Sequence, residues 1–447
     1  SGKSGKIGDM KQKIVHLVRS SLSPKLVRRI EELYRVGRVK LVSLRYGNPA
    51  KSLQVIAVTG TNGKTTTVNF INNMLKAAGK RTAMFSTALI EIAGDKQLND
   101  LNATVGTTAR MQQFFKAAKQ AGVDYVVLEI TSHALDQHKL DGVPILAAVM
   151  TNVTQDHLDY HKTMDNYAAA KAKLFAGRPQ YIVLNRDDEW FEYFNKFEAG
   201  TEKITYGKAE DAQAQIGDSI AQPDGSQARI HLPGDAPEDG IVLKTHLPGE
   251  FNIYNMTAAA ALCRALGASD EALVQGAAQL RGVPGRFERV QEGQDYDVIV
   301  DYAHTPDALE KMLASVREIT PGNVSLVFGS CGDRDKEKRP IMGAIAAKQA
   351  DAIYLTDEEN YTEDADTIRR MIYEGIQQAG GEQKTTEIAD RREALSQAIA
   401  AARPGDTVLV TGLGHEVYRI MNGQRMPWND ADVAREIIKE RMAAKQE

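Results

Sequence analysis

The sequence predicts an α/β fold, with a central, mostly parallel sheet domain, a second α/β domain at the C-terminal end, and a short helical segment ahead of both. Three observations predict it. Short apolar runs alternate with helical stretches along most of the 447 residues. A Gly-rich turn, Thr59-Gly60-Thr61-Asn62-Gly63-Lys64-Thr65, joins the first of those runs to a helix. A second strand–helix series begins near residue 285, at the punctuated segment Leu280–Arg286. Alternation of this kind argues for parallel strands with helices on both faces.

Residues 10–50 read as short amphipathic helices, with Leu26, Ile30 and Leu33 on one face. Pro24 suits a first helical turn, with Ser23 near the cap. Ser1–Asp9, rich in Ser, Gly and Lys, reads as a cloning remnant ahead of Met10. Gln54–Val58 is a strand, and the helical pattern after it runs from about Thr65 to Ala78 and stops at Gly79. Tyr125–Ile130, Ala147–Thr151 and Tyr181–Asn185 are further strands, separated by helical stretches such as Met111–Ala121 and Tyr167–Phe175. Between 200 and 250, Gly, Pro and Asp rise and short alternating runs suggest antiparallel edge strands. The second series has strands at Val298–Asp301, Ser325–Phe328, Ala352–Thr356 and Thr407–Thr411. The division is therefore 1–50, 51–282 and 283–447, with Leu280–Arg286 as a hinge.

The hydrophobic and charged fractions, 43% and 26%, are ordinary for a globular protein large enough to fold without disulfides. Cys263 and Cys331 are too few for a disulfide framework or a cysteine metal site, which fits a reducing cytoplasm. No apolar run approaches the roughly 20 residues of a membrane span, and no signal peptide is visible. The net charge of −4 hides an asymmetry: Met10–Ser52 holds 11 Lys and Arg against Glu31 and Glu32. Such a segment suits phosphates, a membrane surface or an acidic partner, or is a solvated helix face. The negative total and the lack of a recognition motif argue against nucleic acid.

The Gly-rich turn carries the chemistry. Backbone N–H groups in a loop that opens a helix point at phosphates. Lys64 would reach the terminal phosphates, and Thr65 would place its hydroxyl on Mg²⁺. The first glycine of the general pattern would fall at Val58, so the match is partial.

The string VTGTNGKTTT (58–67) resembles the shortened P-loop of Mur ligases and folylpolyglutamate synthases. The resemblance continues through TSHALDQHKLDG (131–142), TNVTQDHLDYH (151–161), Ala169–Lys171, GEFNIYN (249–255), GRFE (285–288), DYAHTPDALEK (301–311), FGSCGDRDKEKRP (328–340) and GLGHE (412–416). These motifs follow the order of the Mur ligases, above all their tripeptide-forming branch, across about residues 52–430. The resemblance implies a P-loop-type central domain and a Rossmann-like C-terminal one. It also implies an ATP-dependent ligase that activates a muramoyl-peptide carboxylate as an acyl phosphate, which the amine of an amino acid then attacks.

That resemblance assigns residues. ATP would meet Gly60, Thr61, Asn62, Gly63, Lys64, Thr65 and Thr66, together with Asn252 and Asn255 on the adenine side and Arg286, Asp301, Tyr302 and His304 from the last domain. Asp301 would meet ribose or position the hinge. Glu129 ends a strand beside the loop and would hold Mg²⁺ with Thr65, and His157 would hold a second Mg²⁺. Lys171 would carry a carbamate, which needs a partly neutral, buried amine. Lys64, Lys171, His157 and Glu129 form the catalytic set. Thr107, Thr108 and Ser132 would line the muramoyl-peptide site, with His133 beside them. Gly414, His415 and Glu416 would hold the incoming amino acid.

Two departures stand out. Family members place a UDP-binding domain before the loop, whereas some 50 residues precede it here. This departure from the family pattern suggests a shortened lead segment: either the muramoyl peptide is held differently, its basic helices gripping a diphosphate or approaching a membrane surface or lipid-linked substrate, or the acceptor does not carry UDP. Second, members that add diaminopimelate carry Asp-Asn-Pro-Arg in the last domain; here the segment is Asp357-Glu358-Glu359-Asn360-Tyr361. Four carboxylates in the seven residues 357–363 suit a distal ammonium better than a distal carboxylate, favouring lysine, ornithine or a similar diamine acid. A folylpolyglutamate-type ligase and a nucleotide-binding partner without catalysis are the rival readings. SHALDQHK, HLDYH and GLGHE favour the peptidoglycan branch over the folylpolyglutamate one, and the retained Lys64, Thr65, Glu129, His157 and Lys171 favour catalysis. A cytoplasmic monomer is expected.

Overall fold

The computed structural model describes residues 24–99, 106–222, 224–236 and 239–444. Ser1–Asp9, the lead helices expected over residues 10–22, and the cap at Ser23 lie outside the described residues.

The first sheet is built from β1 (Gln54–Thr59), β2 (Thr82–Phe85), β3 (Leu89–Ile92), β4 (Asp95–Leu98), β5 (Tyr125–Glu129), β6 (Ile145–Met150), β7 (Tyr181–Asn185), β8 (Glu202–Gly207), β9 (Ala214–Gln222), β10 (Gly225–His231) and β11 (Ile241–Thr245). Among the described residues their order is β11-β10-β9-β8-β7-β6-β1-β5-β2-β3-β4. From β2 to β9 neighbours run parallel; β3, β4, β10 and β11 add antiparallel edges. Side chains alternate across a strand, so β1 sends Ile56 and Val58 to a core shared with Phe70, Met74 and Met256. Val55 and Ala57 go to the opposite core, with Phe115, Tyr167 and Phe175.

The second sheet comprises β12 (Glu288–Arg289), β13 (Asp297–Asp301), β14 (Val324–Phe328), β15 (Ala352–Leu355), β16 (Thr385–Glu387) and β17 (Thr407–Thr411), ordered β12-β13-β17-β14-β15-β16. All pairs but β12–β13 are parallel. A hairpin, β18 (Tyr418–Met421) and β19 (Gln424–Pro427), follows. Beneath β17 the fully buried Arg391 guanidinium pairs with Asp430 at 2.7 Å and donates to the Thr411 carbonyl. The α/β class and the largely parallel first sheet agree with the sequence, since apolar runs this short and continuous fit only strands covered on both faces.

The lead segment differs from expectation. Instead of several short helices, Pro24–Arg45 is one continuous helix of 22 residues. The face carrying Leu26, Ile30 and Leu33 is turned outward rather than into a core. Among the described residues, no helix is long and apolar enough to cross a membrane.

Candidate active site

The site lies where β1, β5, β6 and β13 end, at the carboxyl edge of both parallel sheets, the usual place for a ligand in such folds. β1 runs into the loop 60–63, and the helix Lys64–Ala77 starts at once. Gly63 has φ 82°, and a Cβ there would collide with the Asn255 side chain, so only glycine lets Asn255 lie on the loop. Thr61 N–H donates to the Asn152 carbonyl and Asn62 N–H to Asn152 Oδ1, both at 2.9 Å, which anchors the loop to the end of β6.

Thr65 Oγ1 donates to Glu129 Oε2 at 3.0 Å, and the Thr87 N–H binds the same oxygen at 2.8 Å. Lys64 Nζ folds back on the Thr61 carbonyl at 2.6 Å. Burial lowers the pKa of Lys64, with Arg286 adding to the effect, while Glu129 and Asp156 oppose it. Lys171 Nζ, fully enclosed, donates to the Gly60 carbonyl at 2.6 Å and lies 4.2 Å over the Tyr167 ring. Burial, then the neighbouring Lys64, hold its amine well below the usual lysine range.

His157 adopts φ 55°, a left-handed conformation that is uncommon for a non-glycine residue and concentrates at functional sites. Its Nε2 is 3.2 Å from Asp156 Oδ2. Burial pushes its pKa down to about 3 despite Asp156, so the ring is neutral and its lone pair available at neutral pH. Burial alone would raise Asp156, but His157, Lys338, His304 and Lys64 hold it well below the carboxylate range. His133 packs edge-on to His157 at 4.6 Å, and Ser132 Oγ meets His161 Nε2 at 3.0 Å.

The second sheet closes over this edge. Arg286 donates to Thr65 Oγ1 at 3.2 Å and lies over the Tyr302 ring at 4.7 Å. Asn62 Nδ2 donates to Asp307 Oδ2 at 2.7 Å. Between the two halves is a cavity of roughly 420 Å³ lined by Gly63, Thr65, Thr66, Asn252, Asn255, Arg286, Asp301 and Tyr302, among others. Asp301 accepts from the backbone N–H groups of Phe287 and Ala303, at 2.8 Å each, and lines the cavity. His304 Nδ1 is 2.7 Å from the Tyr302 carbonyl, and burial, then Lys338, lower its pKa to about 4.

Below Tyr302 lies an acidic group. Tyr302 Oη donates to Glu416 Oε1 at 3.1 Å; the His415 ring is 4.9 Å from that of Tyr302, and Gly414 packs on its Cβ. Burial, then Glu359, push Glu416 up to about 9. Glu358 accepts from Cys331 Sγ at 2.8 Å, and Glu359 from Tyr361 Oη at 2.9 Å; burial raises both carboxyls. Tyr361 itself is left-handed, with φ 51°. Asp357 departs from expectation: Arg369 binds its carboxylate, turning it away from Glu358 and Glu359. Thr107 caps the helix Thr108–Gln120 through Arg110 N–H at 3.2 Å, and the buried Thr108 hydroxyl has no partner among the described residues. Neither is tied to the loop by a hydrogen bond.

Sequence reading passed over Asn152, Asp156, Tyr167, Asp307, Arg334 and Lys338. Asp156 adjoins His157 in one string, so it was within reach. Lys338 Nζ donates to the His304 carbonyl at 2.8 Å, a long-range contact with no local signature.

Two family models match the chain: the Mur ligase middle domain over residues 58–263 and the Mur ligase, glutamate ligase domain over 285–414. A UDP-N-acetylmuramoyl-L-alanyl-D-glutamate–2,6-diaminopimelate ligase from Geobacillus kaustophilus (strain HTA426) is 40% identical over 404 residues, covering 89% of this chain and 81% of that protein. The chain belongs to the Mur ligase family. A relative of the same name from Syntrophomonas wolfei is 41% identical, over 88% of this chain and 80% of its own. A solved structure of a ligase of that name superposes with a TM-score of 0.60 at 32% identity, covering 87% of this chain and 79% of the other. The Mycobacterium tuberculosis folylpolyglutamate synthase structure gives a TM-score of 0.69 at 18% identity, over 84% and 92% of the two chains, which speaks to fold alone. As a Mur ligase, the protein is an ATP-dependent enzyme that forms a carbon–nitrogen bond.

Proposed function

We propose that this ligase joins a diamine amino acid to the carboxylate of a muramoyl peptide, adding the third residue of the stem peptide of the cell wall. The observation that carries the reading is the convergence of Lys64, Thr65, Glu129 and Lys171 on one loop. The reaction gathers anions, and these groups answer that need.

ATP lies in the cavity with its phosphates on the loop; Asn252 and Asn255 border the base, and Arg286, Tyr302 and His304 close over it. A carboxylate oxygen of the acceptor attacks the γ-phosphorus and ADP leaves, giving an acyl phosphate. The amine nitrogen then attacks the carbonyl carbon, inorganic phosphate departs, and the nitrogen loses a proton. Lys64, released from the Thr61 carbonyl, holds the transferred phosphoryl group. The closed second sheet excludes water that would otherwise consume the acyl phosphate.

The residues fit Mg²⁺. Among the described residues no three His, Cys, Asp or Glu side chains meet at one point to form a protein cage. Mg²⁺ takes one or two protein oxygens and fills its shell with phosphate and water, and Thr65 with Glu129 would supply those oxygens. His157 would hold a second ion. When bound, the metal neutralises charge on the transferring phosphate. Lys171, kept basic-poor by burial, is placed to add CO₂ and become an anion.

For the amino acid, Gly414, His415 and Glu416 would border the reacting end, while Glu358, Glu359 and Tyr361 face the distal end. Two buried carboxyls there favour a distal ammonium; we rank lysine or ornithine ahead of the diaminopimelate in the relatives' names. Arg334, stacked on Tyr361 at 5.4 Å, is placed for a carboxylate of the same molecule. Thr107, Thr108 and Ser132 would line the acceptor. We place the reaction in the cytoplasm, with the protein a monomer and its domains divided near residue 282.

The test is direct: ATP, Mg²⁺, UDP-muramoyl-dipeptide and a panel of amino acids, with products weighed. A tripeptide product with lysine or ornithine supports the reading. Efficient use of diaminopimelate and none of lysine overturns the ranking, and no ligation with any amino acid overturns the acceptor.

A further inference from the structure

The helix Pro24–Arg45 packs through one face. Val39 and Ser43 are buried against the body, and Arg35 reaches Asp136 at 4.0 Å. At about 100° per residue, Leu26, Ile30, Leu33, Tyr34, Leu41 and Leu44 fall within a sector of roughly 100° on the opposite side. They are 45–71% exposed, the longest run of exposed large apolar residues in the described chain. Cations border the stripe: Arg38 and Arg45 along one edge and Lys40 along the other, all exposed. Over residues 24–45 the sequence holds seven Lys and Arg against Glu31 and Glu32.

We propose that this helix seats the protein on an anionic bilayer surface, apolar stripe down. A stripe of leucines rimmed by cations lies in the interface plane, the apolar side chains entering the acyl boundary and the Arg and Lys heads reaching lipid phosphates. Charge decides between occupants. A second copy of this helix would set an excess of cations against an identical excess, whereas anionic head groups complement it. The packed face of the helix borders Asp136, which accepts from Tyr160 at 2.8 Å beside the histidine cluster. Docking therefore holds that side of the cleft near the membrane, an arrangement that, if the proposed acceptor is right, suits a lipid-linked muramoyl peptide.

The full chain is sedimented with vesicles of phosphatidylcholine alone and with vesicles containing phosphatidylglycerol. The three rim cations predict tighter binding to the anionic vesicles on the order of a hundredfold, falling as salt rises. The double substitution Leu33→Glu and Leu41→Glu removes it while circular dichroism and ligation of a soluble acceptor stay unchanged. Failure of ligation in the parent protein would speak against the proposed function, not against docking. Equal or absent binding to the two vesicles, or binding that survives the double substitution, overturns the proposal. So does a dimer in sedimentation that the double substitution dissolves, which would give the stripe to a second copy.

Discussion

Lys171 shows how one side chain's surroundings set its chemistry. A lysine enclosed beside Lys64, with its Nζ on the Gly60 carbonyl, loses the solvation that keeps an ammonium charged. Replacing it with Ala is expected to lower the ligation rate at least about 10²-fold, the scale of losing one preorganised group at a developing charge. ATP affinity should change little. If the carbamate forms, depleting CO₂ slows the parent enzyme and bicarbonate restores it, whereas Lys171→Ala responds to neither. A bicarbonate-insensitive parent enzyme would remove the carbamate from the account. Glu416 gives the matching prediction for pH. Its raised pKa, about 9, leaves it protonated and neutral at pH 7 in the free enzyme. A bound ammonium prefers the ionised form, so KM for the amino acid should fall as pH rises from 7 towards 9, with proton release on binding. Glu416→Gln should flatten that dependence. A KM that rises with pH in the parent protein would contradict it.

At the scale of elements, the proposed site rests on the loop 60–63 because its backbone, not its side chains, would face the phosphates. Gly63→Ala must strain a positive φ and displace Asn255. We expect a stability loss of about 1 kcal/mol but a KM for ATP raised about tenfold or more, measured beside the melting temperature. An unchanged KM would mean the loop does not approach the nucleotide. The loop and its flanking strands were legible in the sequence, since apolar runs such as Tyr181–Asn185 have one reading between turns. Strands β2–β4 were not. They are four residues each, and β4 is exposed throughout, so no apolar pattern marks it. The helix 24–45 was legible as helical from its period, but a period does not say which way the stripe points. Asp357, in turn, looked like a neighbour of Glu358 in function; strand-end geometry sends it instead to Arg369, a partner twelve residues on.

For the whole molecule, the reaction depends on two sheets meeting over one cleft. Contacts that cross near the loop include Asn62–Asp307 and Arg286–Thr65. Asp307→Ala should weaken closure, raising ATP hydrolysis relative to ligation several-fold, read as phosphate released per amide formed. A ratio that stays fixed would show that the contact does not govern closure. Sequence alone grouped the residues of this cleft by motif order, yet could not bring Lys338 and Tyr167 into it, because their contacts with His304 and Thr61 join segments far apart in the chain.

Carboxylate activation is the claim on which the rest depends, and isotope transfer tests it most directly. The acceptor is prepared with ¹⁸O in its reacting carboxylate, ligation is run with ATP and lysine, and the released phosphate is weighed. One ¹⁸O in each phosphate released is the outcome that an acyl phosphate requires. Phosphate free of ¹⁸O, alongside amide product, would contradict the account.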